Sequence, residues 1–241
     1  MRTSFKVIGA LLLLAIVAAT WPAYQFYREI SKSHSEDPLV WEENIQVLEA
    51  RTADRFGPGE AIVFIGSSSI RFWSSLEEDM APNAVLRHGF GGAKLNDVVH
   101  YADRLVNAYQ PTAVVIFAGT NDISPEDSKE PSVLLDSYRE FVDVVRADDP
   151  DLPIFFIGIT PSPLRWSVWP IAQETNRLIG DWIATDTNHF FIDTSIGLLG
   201  EDGAPRRDHY VFDGLHLSEQ GYAVWAEIVR DSLARNLPGF Q

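Results

Sequence analysis

The sequence of 241 residues contains no cysteine. This absence excludes disulfide bonds, thiolate catalysis, thiolate zinc sites and lipid attachment through a cysteine, as in bacterial lipoproteins. Positive charge is also scarce: 19 Lys and Arg residues stand against 34 Asp and Glu, and the net charge is −15 at pH 7. Because such a surface repels polyanions, we expect no nucleic-acid partner and no attraction to anionic lipid headgroups.

A long apolar run lies at the N-terminus. Residues 7–27 carry no charge, Arg2 and Lys6 precede them, and Arg28 follows them. A run of about 20 apolar residues can cross the hydrocarbon core of a bilayer, and the basic residues before it keep the N-terminus in the cytoplasm. We therefore predict an N-terminal transmembrane helix through which the protein contacts the membrane.

The domain organisation follows from this run. We predict a signal anchor over residues 1–28, a linker over residues 29–39 and an exported domain over residues 40–241, on the periplasmic or extracellular side. A cleaved signal peptide is the alternative, because the small residues at 17–19 can supply a cleavage site, and it would give a secreted protein.

Within the exported part, short apolar runs alternate with helical patterns. The runs typical of strands are 61–66, 84–89, 112–119, 153–160 and 189–194. The helical patterns cover 40–56, 70–79, 95–109, 132–147, 168–185 and 218–236. This alternation predicts an α/β domain in which a mostly parallel five-stranded sheet lies between two layers of helices.

Polar or glycine-rich turns follow four of the predicted strands, at residues 66–69, 89–92, 119–122 and 160–162. Because ligands bind beyond the C-terminal ends of the strands in such sheets, these turns are expected to meet at one edge and form the site.

The first of these turns contains Ser67, Ser68 and Ser69. A serine hydroxyl becomes a nucleophile when a base removes its proton, and a helix that begins after a strand offers backbone N–H groups to an oxyanion. The alternative is that the serines cap the next helix. The segment is not a G-x-S-x-G elbow, because Ile70 replaces the second glycine.

The base must be a histidine, and two of the six histidines in the chain are candidates. His216 follows Asp213 by three residues, a spacing that allows the carboxylate to hold the imidazole in one tautomer. His209 also has an acidic neighbour, Asp208, but adjacent side chains tend to point apart. By itself the Asp213 and His216 pair is a weak signal, because the alternative is a turn residue before Gly214 and a histidine in a surface loop.

Oxyanion donors complete the set. The side-chain amide of Asn121 follows a buried strand and can donate to developing negative charge, although an Asx turn is the alternative. Gly91 and Gly92 allow a backbone N–H to approach a ligand closely, or simply form a tight turn. A nucleophile, a base with its carboxylate and these donors at one sheet edge indicate acyl transfer.

Four sequence blocks carry a family resemblance. They are Gly66-Ser67-Ser68, GFGGAKLNDV at 89–98, GTND at 119–122 and DGLHLSEQGY at 213–222. With these blocks the chain resembles the GDSL, or SGNH, hydrolases, especially the branch related to the catalytic subunits of platelet-activating-factor acetylhydrolase. Two positions depart from the usual pattern: Ser67 stands in place of an Asp, and Ala93 stands where Asp is frequent.

The resemblance implies a flavodoxin-like SGNH fold and assigns roles to the site residues. Ser68 would be the nucleophile, with Ser69 as the runner-up, and His216 oriented by Asp213 would be the base. The backbone N–H groups of Ser68 and Gly92 and the Asn121 amide would form the oxyanion hole. The implied reaction is hydrolysis of carboxylic esters of small acyl groups without a metal or a cofactor.

The substrate is less clearly indicated. Arg165, Trp166 and Trp169 follow the fourth strand, where Arg165 and Trp166 could bind a small-molecule or glycan ester, or where the tryptophans could pack the next helix. Two alternatives to a general esterase therefore stay open: an O-deacetylase acting on carbohydrate or cell wall, and a non-catalytic, membrane-tethered binding domain.

Overall fold

The computed structural model describes residues 31–241. The anchor predicted over residues 1–28 lies outside these residues. In the described part, no helix combines the length and the apolar character that a membrane span needs.

The described residues contain a five-stranded parallel sheet with the strand order β2-β1-β3-β4-β5. The strands are β1 (Ile62–Gly66), β2 (Val85–Gly89), β3 (Ala113–Phe117), β4 (Ile154–Ile157) and β5 (His189–Ile192). Each lies inside one of the apolar runs of the sequence, so the predicted sheet is confirmed. The runs are continuous rather than alternating because helices cover both faces of the sheet.

Eight α-helices lie wholly within residues 31–241. They are α1 (Glu42–Thr52), α2 (Ser68–Phe72), α3 (Leu76–Asp79), α4 (Leu95–Leu105), α5 (Pro131–Val145), α6 (Trp169–Ile183), α7 (Ser195–Leu198) and α8 (Glu219–Asn236). Short 3₁₀ turns occur at Pro38–Trp41, Asn107–Tyr109, Thr120–Asp122, Trp166–Val168 and Arg207–His209.

Two buried clusters, one on each face of the sheet, confirm the three layers. Val63 and Ile65 of β1 point into a cluster with residues of α1, α4, α5 and α6, including Phe141. Phe64, between them, points to the other face and joins a cluster with α2, α3, α7 and α8, including Trp225. This alternation of side chains along one strand is what a sheet buried on both faces requires.

The helix predicted over 70–79 is wrong in one respect, since it forms two short helices, α2 and α3. Trp73 leaves the helical conformation, with φ −70° and ψ 76°. Its indole Nε1 and the Ser75 hydroxyl both donate to Asp79 Oδ2, at 2.6 and 2.7 Å. The break lets the fully buried Trp73 ring pack under the sheet. Helix α7 was not predicted, because four residues give no periodic pattern.

Residues 31–41, which we call the N-terminal arm, pack beside the C-terminal edge of the sheet. Trp41 is fully buried, and its Nε1 donates to Asp97 Oδ2 at 3.2 Å. The Tyr101 hydroxyl donates to the carbonyl of Pro38 at 3.0 Å. These bonds place the arm next to the turn that follows β2, where the candidate site lies.

Candidate active site

An open cleft of about 690 Å³ lies at the C-terminal ends of the strands. The predicted site residues Ser68, Gly92, Asn121, Asp213 and His216 all line it. They come from turns that are far apart in the sequence and meet at one edge of the sheet, as expected for this topology.

Ser68 is the first residue of α2, directly after the turn that ends β1. The turn is sharp: Gly66 has φ +149°, and a Cβ there would lie 2.0 Å from the Phe117 carbonyl oxygen. Ser67 is buried and precedes the helix without a side-chain capping bond, so the capping alternative does not describe it. The carbonyl of Ser69 accepts a hydrogen bond from the Tyr222 hydroxyl at 2.8 Å. Of the three serines, Ser68 is the one whose hydroxyl bonds to His216.

A hydrogen-bonded relay joins three side chains in the cleft. His216 Nε2 lies 2.8 Å from Ser68 Oγ, and His216 Nδ1 lies 2.7 Å from Asp213 Oδ2. The second carboxylate oxygen, Asp213 Oδ1, accepts the backbone N–H groups of Leu215 and His216 at 2.8 and 3.0 Å. With the Nδ1 proton directed at Asp213, Nε2 is available to accept the Ser68 proton.

The electrostatics of Asp213 suit that role. Burial raises the pKa of its carboxyl, but the hydrogen bonds from the His216 ring and the two backbone N–H groups outweigh burial and hold the pKa below its ordinary value. Asp213 is therefore ionised at neutral pH and can stabilise an imidazolium on His216.

The other candidate base lies elsewhere. His209 is buried, burial lowers its pKa, and it is not among the residues that line the cleft. His88 lies between the Leu105 carbonyl and the Thr52 hydroxyl, and burial lowers its pKa to about 4. Thus it is His216 that the structure brings to Ser68.

The three predicted oxyanion donors belong to residues that line the cleft. Gly92 has φ +73°, a conformation that L-residues with a side chain rarely adopt. Asn121 Nδ2 donates one hydrogen bond to the Ala93 carbonyl at 2.9 Å, which fixes the amide across the two turns and leaves its second N–H for the cleft. The Ser68 N–H is at the first position of α2, where helices leave N–H groups without internal partners.

Charged side chains lie behind the oxyanion donors. Asp122, next to Asn121, is 3% exposed and accepts the Leu95 N–H and Lys129 Nζ, both at 2.9 Å. Burial raises the pKa of Asp122, and the bonds from Lys129 and Leu95 oppose that rise. The Asp122 carboxylate thus ties the turn after β3 to the start of α4.

A second carboxylate and the arm complete this charge network. Asp97 Oδ2 accepts the backbone N–H of Lys94 at 2.8 Å, and burial raises the Asp97 pKa. Lys94 Nζ forms an ion pair with Glu36 of the arm, and Lys129 Nζ lies 3.3 Å from the same carboxylate. The sequence analysis did not single out these residues; their only signal was the position of Lys94, Asp97 and Asp122 inside the quoted blocks.

The two predicted substrate residues occupy different places. Arg165 lies in the cleft wall, where its guanidinium donates to the Ile123 carbonyl and burial lowers its pKa. Trp166 is not among the residues that line the cleft; its ring stacks on Trp169, with centroids 6.2 Å apart. Phe72, which the sequence analysis did not identify, packs edge-to-face on the His216 ring at 5.0 Å.

Among residues 31–241, no group of three or more His, Asp or Glu side chains is arranged to hold a metal ion.

Comparison with known proteins identifies the family of this chain and supports its fold. The sequence profile of the GDSL-like lipase/acylhydrolase family matches residues 52–224. That range contains Ser68, Gly92, Asn121, Asp213 and His216. A search of curated protein sequences finds no match.

Several solved structures are similar. A GDSL-like lipase from Bacteroides thetaiotaomicron is 18% identical, with a TM-score of 0.68 over 80% of this chain and 98% of that one. A Streptococcus pneumoniae protein provisionally described as a platelet activating factor is 21% identical, with a TM-score of 0.69 over 79% and 92%. A carbohydrate esterase family 3 protein from Talaromyces cellulolyticus is 18% identical, with a TM-score of 0.59 over 73% and 96%. At these identities the likeness shows the fold.

Proposed function

Because the chain belongs to the GDSL-like lipase/acylhydrolase family, we propose that it is a serine hydrolase that cleaves carboxylic esters of short acyl groups. The observation that carries this proposal is the Ser68–His216–Asp213 relay, with contacts of 2.8 and 2.7 Å, at an open cleft. A binding domain without catalytic function has no need of such a relay, so its presence favours an enzyme.

Acylation would begin when Ser68 Oγ attacks the carbonyl carbon of the ester while His216 Nε2 takes the hydroxyl proton. The resulting imidazolium faces the ionised Asp213. His216 then gives its proton to the leaving alcohol as the bond between the carbonyl carbon and the alcohol oxygen breaks. The acyl group remains on Ser68.

The tetrahedral intermediate carries negative charge on the former carbonyl oxygen. The N–H groups of Ser68 and Gly92 and the free N–H of the Asn121 amide are the donors proposed to bind it. Such donors act mainly on the transition state because the charge develops there, and each is typically worth about 10²–10³ in rate.

Deacylation would repeat these steps with water. His216 Nε2 takes a proton from a water molecule as its oxygen attacks the acyl carbon, and the proton then returns to Ser68 Oγ as the acyl–oxygen bond breaks. The products are a carboxylic acid and the free enzyme. Every proton is accounted for by His216, so the residues at hand suffice for the reaction.

The surroundings of Ser68 support a short acyl group. Besides the open cleft, a second pocket that borders Ser68 and Asn121 has a volume of only about 10 Å³, which is room for about one water molecule. A long acyl chain would have to lie in the open cleft instead. The cleft is lined by apolar side chains including Phe72, Leu164 and Val211, which favours an apolar alcohol over a polyhydroxylated glycan.

Ester hydrolysis is tested with purified protein and methylumbelliferyl acetate. We expect turnover that Ser68→Ala reduces to the background rate, whereas the matched variant Ser69→Ala keeps most of it. Replacing the acetate by octanoate is expected to lower kcat/KM. Acetate release from acetylated xylan at a higher kcat/KM would assign the enzyme to glycan deacetylation, and wild-type protein no faster than Ser68→Ala on every ester would contradict the proposed function.

The location proposed for this enzyme is the outer side of a membrane, with residues 1–28 as the anchor. Its support is the uncharged run at residues 7–27. Full-length protein should then remain with the membrane after a carbonate wash, and external protease should reach the domain. A mature N-terminus shortly after residue 19 would show a cleaved signal peptide instead.

A further inference from the structure

Exposed apolar side chains line the cleft or lie directly beside residues that line it. Phe72 (45% exposed), Leu164 (55%) and Val211 (37%) line it, and Phe212, next in the chain, is 93% exposed. We call these four residues the apolar rim. A phenylalanine that is almost fully in water stabilises nothing in the folded chain, and exposed apolar groups gathered at one place mark an interaction surface.

The rim residues lie on, or are bonded to, the segments that carry the candidate catalytic groups; Phe72 ends α2, the helix that begins with Ser68. The Leu164 N–H donates to the Gly214 carbonyl at 2.9 Å, and the Val211 N–H donates to the His216 carbonyl at 2.9 Å. The Phe212 carbonyl accepts a hydrogen bond from Arg207 at 2.8 Å. These bonds fix the backbone of Leu164, Val211 and Phe212 close to the loop that carries Asp213 and His216, so whatever covers the rim also meets the entrance to Ser68.

The N-terminal arm brings this entrance close to the apolar run of the sequence. Ser33 lines the cleft, and the uncharged run ends at Tyr27, six residues earlier. Six residues span at most about 20 Å even when extended. If residues 7–27 cross a bilayer, the cleft therefore opens close to the bilayer surface.

From the exposed rim and this short connection, we propose that the apolar rim docks on a lipid bilayer, so that the cleft takes its substrate from the membrane. The occupant of the rim is the lipid surface itself. The substrate would be an ester whose apolar alcohol part resides in the bilayer; this part of the inference rests on the proposed function, whereas docking does not.

The net charge of the protein predicts which lipid headgroups the rim prefers. With a net charge of −15, the protein is repelled by anionic headgroups. Docking therefore depends on insertion of apolar side chains, and it is expected to be stronger on zwitterionic phosphatidylcholine than on anionic phosphatidylglycerol. For the same reason, added salt should weaken docking on phosphatidylcholine little.

Docking can be measured without catalysis, because the chain has no cysteine. Full-length Phe212→Cys, labelled with a nitrobenzoxadiazole fluorophore, is reconstituted into phosphatidylcholine vesicles that contain brominated lipid. Ile196→Cys, at a residue that is 74% exposed and lies in α7, a helix with no residue in the cleft lining, is the matched control. We expect a blue shift and strong quenching for the label at position 212 and neither for the label at position 196.

Equal signals from the two labels would overturn docking. A shift of the label at position 212 that grows with protein concentration in detergent, with no lipid quenching, would assign the rim to a second copy of the chain and also overturn it.

A kinetic experiment separates docking from the proposed function. Heptadecylumbelliferyl acetate in phosphatidylcholine vesicles is compared with soluble methylumbelliferyl acetate, which carries the same scissile bond. Phe212→Ser should lower the rate on the vesicle-borne ester about tenfold, since burial of one Phe side chain is worth at least that much, and Ile196→Ser should not. An equal loss on both esters, or no loss on either, would contradict docking. If wild-type protein hydrolyses neither ester faster than Ser68→Ala, the proposed function is contradicted. Docking is then tested by the fluorescence experiment alone.

Discussion

The two sides of the cleft are built in different ways. On one side, Ser68, His216 and Asp213 are joined by direct side-chain bonds of 2.7 and 2.8 Å. On the other side, Gly92 and Asn121 are held from behind by a network of buried and partly buried charges that extends to the N-terminal arm. The relay is held in place by hydrogen bonds among its own three side chains. Gly92 and Asn121 are held in place by neighbouring residues that have no proposed part in the reaction.

This difference determines how a substitution acts on each side. In the proposed mechanism, a change in the relay removes a group that takes part in proton transfer, so we expect turnover to fall while stability is nearly unaffected. A change in the charge network leaves an unpaired charge in the interior, so stability falls first and turnover follows only as far as the donors move. The comparison therefore predicts separable effects on kcat and on unfolding.

Among substitutions that keep both Ser68 and His216, the largest effect on turnover is expected for Asp213→Asn. The Asn amide would keep an oxygen for the Leu215 and His216 N–H groups, but its NH₂ would face Nδ1 and favour the tautomer with the proton on Nε2. That nitrogen could no longer accept the Ser68 proton. We expect kcat on methylumbelliferyl acetate to fall about 10³–10⁴-fold, with little change in a thermal melt. Turnover near that of wild type would remove Asp213 from the mechanism.

Asn121→Ala should have the next largest effect on turnover, and it tests the proposed oxyanion donors. Removal of an amide directed at the developing charge should lower kcat about 10²–10³-fold, and KM should change little because the ground-state carbonyl carries less charge. The variant also loses the bond to the Ala93 carbonyl, so a melt must accompany the kinetics. A variant that melts normally and turns over like wild type would show that Asn121 only shapes its turn.

Lys129→Met should lower the free energy of unfolding strongly and kcat only modestly, the reverse of what we expect for Asn121→Ala. Asp122, 3% exposed, would lose its ion pair at 2.9 Å, and breaking a buried pair costs about 3–5 kcal/mol of unfolding free energy. Because Lys129 is itself a quarter exposed, we expect the lower end of that range from urea denaturation, with a smaller loss of kcat than in Asn121→Ala.

The double variant Asp122→Asn with Lys129→Met is the control for that prediction. It removes both charges and keeps an oxygen for the Leu95 N–H, so it should recover part of the lost stability. A single Lys129→Met variant as stable as wild type would show that the charge network does not hold this side of the cleft.

Glu36→Gln should give the smallest effect. Its carboxylate, with a side chain 62% exposed, pairs with Lys94 and Lys129 from the arm, and exposed ion pairs contribute about 0–1 kcal/mol. We expect a loss of kcat of at most about fivefold, reproduced in wild type by high salt, which screens exposed charges. Glu227→Gln, on the exposed face of α8, is the matched control. Equal kcat values for the two variants would show that the arm does not influence the site.

The same contrast explains what could be predicted from the sequence. The five strands, the three layers and the sheet edge that carries the site follow from short apolar runs and the turns after them. The Asp213 and His216 pair is visible because the two residues are three apart. The charge network is not visible, since Glu36, Lys94 and Lys129 come from separate segments and each resembles an ordinary surface charge. The break at Trp73 was missed because it depends on a bond to Asp79 and on burial of the ring.

The central claim, that Ser68 is the nucleophile activated by His216, is tested most directly by covalent labelling. A fluorophosphonate reacts when a serine oxygen attacks phosphorus and fluoride leaves, and the adduct is located by mass spectrometry of peptides. We predict a single adduct on Ser68 in the wild type and slow or no labelling in His216→Ala. An adduct on Ser67 or Ser69, or labelling of Ser68 at the wild-type rate without His216, would contradict the assignment.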